Sequence, residues 1–259
     1  MSIWKYRKYL WDNSILELRN RYAGSSLGSL WNIIQPLLQI LVYTFVFSQV
    51  MAAKLPGTES TTAFTIYLCA GLIPWFSFSE IIMRGSNAFI ENSTYLKKLD
   101  IPEFIFLLKV ALTSTIVLFI SMSILFVVVF FLGGTITYLW LLVPIVLILL
   151  ALMGLGLTFS FACINVFFKD FGQLLNTLIQ LWMWLTPIVY VKDMLPEFFS
   201  QFVVYNPLYV YIDSLHKIIV FSEFPTVYSW MQMILFSSIT MIIGLLTLKK
   251  LRSEIRDVV

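Results

Sequence analysis

Five stretches of the chain carry no Asp, Glu, Lys or Arg: 22–53, 60–79, 110–168, 171–191 and 224–248. Each is long enough for the roughly 20 apolar residues that take a helix across the hydrocarbon core of a bilayer. A soluble domain is about one quarter charged; this chain of 259 residues is 12% charged and 59% hydrophobic. Lipid solvates apolar side chains directly, so a bilayer removes the need for a charged surface. The stretch 110–168 has room for two crossings, and Gly133-Gly134 before Thr135 supplies a turn near its middle. The expected fold is therefore all-α and membrane-integral, with six spans near 30–52, 62–83, 105–132, 139–167, 172–191 and 227–248.

Basic residues flanking spans orient a membrane protein. With six spans, Lys5, Arg7, Lys8, Arg19, Arg21, Arg84, Lys97, Lys98, Lys109, Lys169, Lys249, Lys250, Arg252 and Arg256 fall on one side. Lys54, Lys192 and Lys217 fall on the other. This asymmetry predicts that both termini are cytoplasmic. The first span follows 29 residues and is too long for a signal h-region, so it reads as an uncleaved anchor. Cys69 and Cys163 lie inside spans and are expected to be buried thiols.

Three segments outside the spans have character of their own. In 1–29, the residues Trp4, Trp11, Ile15, Leu18 and Tyr22 recur at helical spacing, which predicts an amphipathic helix at the headgroup boundary. Glu17 and Arg21 are spaced as a helical ion pair. In the second loop, about 90–99, Phe89, Ile90, Leu96 and Leu99 are expected on one side of a short helix that Asp100-Ile101-Pro102-Glu103 ends. Its composition suits either docking into a soluble partner or a solvated linker. Between the fifth and sixth spans, about 195–222, an uncharged run from Phe198 to Ile212 is too short to cross. With Asn206-Pro207 inside it, this region reads as an external re-entrant helical hairpin. The last segment, 249–259, reads as a basic cytoplasmic tail.

The sequence excludes several function classes. Gly24-Ser25-Ser26-Leu27-Gly28 lacks the lysine of a phosphate-cradling loop, so the chain carries no ATPase site of its own. Glu80 alone among the acids lies within a span, near its end and four residues before Arg84, which argues against ion-driven transport. One histidine, His216, gives no metal cluster. His216, Asp213 and Glu197 leave only a weak basis for a membrane-embedded glycan enzyme. The net charge of +3 gives no basis for nucleic-acid binding. Aromatic residues concentrate on the second span (Trp75, Phe76, Phe78) and the fifth (Trp182, Trp184, Tyr190). Their density fits either helix packing or a passage lined with rings on which sugars stack.

Several segments together resemble a family. Asn20-Arg21-Tyr22-Ala23-Gly24-Ser25-Ser26-Leu27-Gly28-Ser29-Leu30-Trp31 and Gln35-Pro36-Leu37 resemble the opening of ABC-2 type permeases that export polysaccharides. Gly71-Leu72-Ile73-Pro74-Trp75, Asn92 to Leu99 and Ile101-Pro102 are similar to that family's second span and coupling segment. Asn165-Val166-Phe167-Phe168-Lys169-Asp170, Thr186-Pro187-Ile188-Val189-Tyr190, Leu195-Pro196 and Asn206-Pro207-Leu208 look like its fourth loop, fifth span and external hairpin. The match runs in order from about residue 15 to 210, with one departure: Thr186 stands where a serine is expected. The likeness is to permeases of O-antigen, capsule and teichoic-acid exporters, the O-antigen type above all.

The resemblance implies a bacterial inner-membrane protein that pairs with a second copy of itself and with two ATP-binding-cassette subunits, which carry the ATP and magnesium. The implied cargo is a glycan on an undecaprenyl diphosphate carrier. Ile90, Glu91, Asn92, Tyr95, Leu96, Lys97, Lys98 and Leu99 become the candidate coupling segment. Arg19 and Arg21 become candidates for the lipid diphosphate, for which the arginine fork is well shaped. Trp75, Phe76, Phe78, Trp182, Trp184 and Tyr190 become candidates for a glycan channel. A permease for a drug or simple lipid is the competing expectation.

Overall fold

Residues 3–51, 55–56, 61–98, 101–168 and 170–258 are described by the computed structural model. Lys54, Leu99, Asp100 and Lys169, which the sequence reading uses, lie outside them. The described residues form helices and connecting turns: α1 (Arg7–Asn20), α2 (Trp31–Thr44), α3 (Thr61–Glu91), α4 (Ser93–Lys98), α5 (Phe104–Phe131), α6 (Val143–Phe167), α7 (Phe171–Trp184), α8 (Glu197–Val203), α9 (Tyr209–His216) and α10 (Val227–Val258). A π-helical stretch, Phe45–Val50, prolongs α2.

Five helices are long and apolar enough to cross a membrane: 28–50, 62–91, 104–131, 138–167 and 227–256. The expected fifth span, 172–191, is not one of them. α7 has 14 residues, about 21 Å at 1.5 Å per residue, against a core of about 30 Å. It ends where Thr186-Pro187 follows, because the residue before a proline is pushed out of the helical region. Two other boundaries also shift. α3 runs eight residues beyond the expected end of its span, and the tail is not separate but continues α10 as helix.

Cross-helix contacts give the directions. Phe78 and Ile81 of α3 lie beside Gly154 of α6, Thr158 Oγ1 donates to the Ile81 carbonyl at 3.1 Å, and Asn165 Nδ2 donates to the Ser86 carbonyl at 3.0 Å. Ser237 Oγ of α10 donates to the Leu149 carbonyl at 2.8 Å, and Gly244 meets Gly156 seven residues further along each helix. So α3, α6 and α10 run parallel. A methyl group on Gly244 would overlap the Gly156 carbonyl, and one on Gly85 would overlap the Thr158 side chain. Lipid supplies no hydrophobic drive between helices, and small residues that let backbones approach take its place. Cys69 and Cys163 are buried free thiols in this packing, as expected.

Both terminal helices lie beside the start of α5. The amino-terminal helix docks through Leu10, Ser14 and Leu18, which are buried at i, i+4 and i+8. Of the face expected at the headgroup boundary, Trp4 and Trp11 are exposed, whereas Leu18 is buried in the contact with α5. Glu17 and Arg21 do not pair with each other. Glu17 bonds Arg84 of α3 and Lys109 of α5, the latter at 3.1 Å. Burial opposes its charge, but the two cations hold the carboxyl below its ordinary value. At the other terminus, Glu103 is 2% exposed and holds two arginines of α10: Arg252 at 2.8 Å and Arg256. Arg256 Nη2 also donates to the Ile101 carbonyl at 3.1 Å. Ile255 and Leu248 sit in the same apolar cluster as Leu96, Phe89 and Phe106. The end of α10 is thus built into the loop that follows α4.

Two stability outcomes follow from these contacts. In an open helix, replacing Gly by a side chain stabilises by up to about 1 kcal/mol; at Gly244, Gly244→Leu is expected to destabilise by about 3 kcal/mol through backbone overlap, measured by thermal unfolding in detergent. At the clamp, the double change Arg252→Ala with Arg256→Ala strands a buried carboxylate and should cost about 3 kcal/mol. Glu103→Gln removes the buried charge itself and leaves two half-exposed arginines, so it should cost less than half as much. Equal losses in the same unfolding assay would contradict the buried-charge account.

Candidate functional site

The predicted coupling segment divides between two helices. α3 continues to Glu91, the chain bends at Asn92, and α4 begins at Ser93. Asn92 stabilises the bend: its Nδ2 donates to the Ala88 carbonyl at 2.8 Å, and its carbonyl accepts from the Tyr95 and Leu96 amides. The expected shared apolar side therefore splits. Phe89 and Leu96 are buried and fix the bend to the core, while Ile90 and Tyr95 are exposed. Glu91, Lys97 and Lys98 are exposed as well. The result is a short projecting turn with two apolar side chains among charges, anchored from behind by Leu96. Leu99 lies outside the described residues.

Of the two candidate arginines, Arg19 is exposed and Arg21 is half-buried. Arg21 Nη2 donates to Glu80 Oε1 at 2.7 Å, and Glu80 also takes Arg84 Nη1 at 3.0 Å, the local pair expected from sequence. Three cations (Arg21, Arg84, Lys109) and two carboxylates (Glu17, Glu80) therefore form one partly buried network. Arg21 also borders a cleft of about 120 Å³ between α2, α3 and α5.

The six aromatic candidates occupy three environments. Trp75 and Phe78 are buried, each meeting the Trp182 ring edge-on at 6.5 and 5.6 Å between centroids. Phe76 turns to the other side of α3 and borders the cleft beside Arg21. Trp184 and Tyr190 line a larger, open apolar cavity of about 720 Å³, to which Trp182, Phe199, Phe202 and Tyr205 also contribute.

Asn206 holds this second cavity in shape. Its Oδ1 accepts from Trp182 Nε1 at 2.9 Å and from the Leu208 amide at 3.1 Å; its Nδ2 donates to Thr186 Oγ1 at 2.8 Å. Thr186 Oγ1 in turn donates to the Trp182 carbonyl at 2.8 Å. A hydroxyl is what the position needs, so threonine serves where serine was expected. His216 is 3% exposed and stacks on Tyr67 with centroids 3.6 Å apart, in a space that Gly71 leaves open. Asp213 is paired with Lys217 at 2.7 Å. His216 thus packs inside the protein and presents no acid–base pair with Asp213 at the surface.

Sequence reading missed one feature of α7. Gln173, Thr177, Gln180 and Trp184 are all exposed, and their spacing of four, three and four places them on one face. Polar side chains facing hydrocarbon are costly. The signal was in the sequence, since three polar residues at helical spacing interrupt an apolar run.

The ABC-2 type transporter family matches residues 9–220. An O-antigen export system permease protein of Klebsiella pneumoniae is 28% identical over 256 residues, covering 96% of each chain. One of the same description from Myxococcus xanthus is 31% identical over 189 residues, 73% of this chain and 70% of that one. A polysialic acid transport protein of Escherichia coli is 23% identical over 231 residues, 88% of each. With five membrane-length apolar helices and a family match over most of its length, this chain is a multi-pass membrane protein that belongs to the ABC-2 type transporter family.

Proposed function

We propose that the protein is the transmembrane subunit of an ATP-driven polysaccharide exporter in a bacterial inner membrane, with a lipid-linked O-antigen as the cargo. The observation that carries this reading is the end-to-end similarity to relatives named for O-antigen export. Two copies of the chain and two separate ATP-binding-cassette subunits make the working assembly, and the chain hydrolyses no ATP itself. The cargo is a glycan on undecaprenyl diphosphate.

Six crossings with both termini cytoplasmic agree with the packing. The two terminal helices share one end of the bundle, which supports an even number of crossings. α2 and α5 leave that end, whereas α3, α6 and α10 return to it. The remaining outward crossing falls to α7 together with the bent chain after Thr186. On this reading 195–222 is the external hairpin, and the polar face of α7 borders a watered path between the two copies. Trp184 and Tyr190 offer rings to sugars at the outer mouth of that path, with Trp75 and Phe78 packed against Trp182 behind them, while Phe76 faces the other side of α3 and stays apart from it.

The projecting turn at Ile90–Lys98 receives the stroke of the ATP-binding subunit. Leu96 joins it to the core and Glu103 joins the following loop to α10, so a push there moves the bundle. Reversing both charges, Lys97→Glu with Lys98→Glu, is expected to leave the permease folded and to cut glycan export at least about tenfold while ATP hydrolysis continues. Export per ATP in proteoliposomes checks this, and an unchanged ratio would remove the turn from coupling. Arg19 and Arg21 meet the carrier's phosphates at the membrane surface. Arg19→Gln with Arg21→Gln should raise the carrier concentration needed for half-maximal export by about tenfold without loss of assembly, as measured by titrating lipid-linked glycan.

A further inference from the structure

The cleft beside Arg21 is unusual for a membrane bundle, because three helices contribute polar side chains to it. Gln35 and Gln39 come from α2, Ser77 and Glu80 from α3, and Ser121 from α5. On α3 its lining extends from Glu80 back to Ile73, seven residues or about 10 Å along the axis. It therefore leads from the charged network toward the middle of the bilayer. Uncovered amides and hydroxyls at that depth cost free energy unless something bonds them.

The internal bonds satisfy these groups only in part. Gln35 Oε1 accepts from Tyr22 Oη at 2.7 Å, Gln39 Nε2 donates to Tyr43 Oη at 3.1 Å, and Ser121 Oγ donates to the Val117 carbonyl at 2.9 Å. The Gln35 amide nitrogen and the Gln39 amide oxygen have no partner among the described residues. Asn32 adds a buried case in the same wall: its Nδ2 is fixed by the Leu18 and Ser29 carbonyls at 3.1 Å each, and its Oδ1 has no donor. The cleft thus offers both donors and acceptors.

Charge and size select the occupant. Glu80 lines the cleft and pairs with Arg21 at 2.7 Å, so a neutral group is favoured inside it and a phosphate meets Arg21 only from outside. Its volume of about 120 Å³ is a little below the roughly 150 Å³ of a cavity that takes one benzene ring, which suits part of one sugar ring or a glycerol but no polymer. We propose that this cleft binds the hydroxyl-bearing group attached directly to the phosphate of a membrane lipid. Gln35, Gln39 and Ser121 bond the hydroxyls, and the phosphate itself stays outside. This assignment rests on the proposed function for one source of the ligand, the first sugar on the polyprenyl diphosphate carrier. The other source is a phospholipid such as phosphatidylglycerol, whose terminal glycerol has the same chemistry.

The test uses the full assembly with its ATP-binding subunits in phosphatidylcholine nanodiscs. Three probes are titrated: a polyprenyl diphosphate bearing one sugar, the same lipid without sugar, and phosphatidylglycerol. Gln39→Leu and the milder Ser121→Ala are compared with the parent protein, with thermal unfolding as the control for folding. The expected result is about a tenfold loss of affinity for the sugar-bearing lipid in Gln39→Leu, a smaller loss in Ser121→Ala, and no change for the sugar-free lipid. A loss confined to phosphatidylglycerol keeps the site and assigns its ligand to the phospholipid. Equal losses for the sugar-bearing and sugar-free lipids, or no loss for any probe, overturn the proposal. If the parent protein binds neither polyprenyl lipid, the export reading fails, and the phosphatidylglycerol arm still decides the cleft.

Discussion

The close approach of α6 and α10 at Gly156 and Gly244 is the contact on which the rest of the bundle depends. Hydrocarbon around the spans removes the force that drives soluble cores together, so helix association rests on backbone proximity and on hydrogen bonds that no water competes for. The same device recurs where Gly85 admits Thr158, and Asn165 bonds across to α3 nearby. These contacts fix α3, α6 and α10 as a parallel trio. Around it, α1, α2, α5 and α7 keep faces that the chain alone does not cover.

Charge then governs the end of the bundle that carries both termini. Glu17 and Glu80 tie the amino-terminal helix to α3 and α5, and Glu103 ties the carboxy-terminal end of α10 to the loop behind α4. Each carboxylate serves helices distant in sequence, with the burial cost of one charge offset by two cations. A displacement of the α4 turn therefore has a mechanical route into α10, and from α10 into α6 through the glycine crossing. In the segment after α7, the hydrogen bonds of Asn206 to Trp182 and Thr186 hold the aromatic side chains in place, beside the single Asp213–Lys217 ion pair described there.

Much of this architecture was legible in the sequence. The charge-free runs located the five long helices, and the turn at Gly133-Gly134 separated α5 from α6. The Glu80–Arg84 pair and the buried cysteines also stood where expected. What was hidden depended on which groups lie near each other in three dimensions. Glu17 has a helical partner at the right spacing, yet cross-helix cations win because they lie closer to its buried carboxylate. The spacing of Trp4, Trp11 and Leu18 is helical, but burial separates them: the tryptophans are exposed while Leu18 joins Leu10 and Ser14 in the contact with α5. The break after Trp184 was foreshadowed by Thr186-Pro187 and was outweighed by the apolar run around it. The split of Phe89 and Leu96 from Ile90 required the bend at Asn92. The cleft between α2, α3 and α5 could not be read at all, since its polar groups are scattered over a hundred residues.

The central claim is that this family member exports a finished, lipid-linked polysaccharide. Deleting its gene and fractionating lipid-linked glycan tests that claim most directly. Long polymer on its carrier is expected to accumulate inside the cell while surface glycan disappears, and restoring the chain is expected to reverse both. Normal surface glycan in the deletion strain would contradict the account and would favour a permease for a drug or simple lipid.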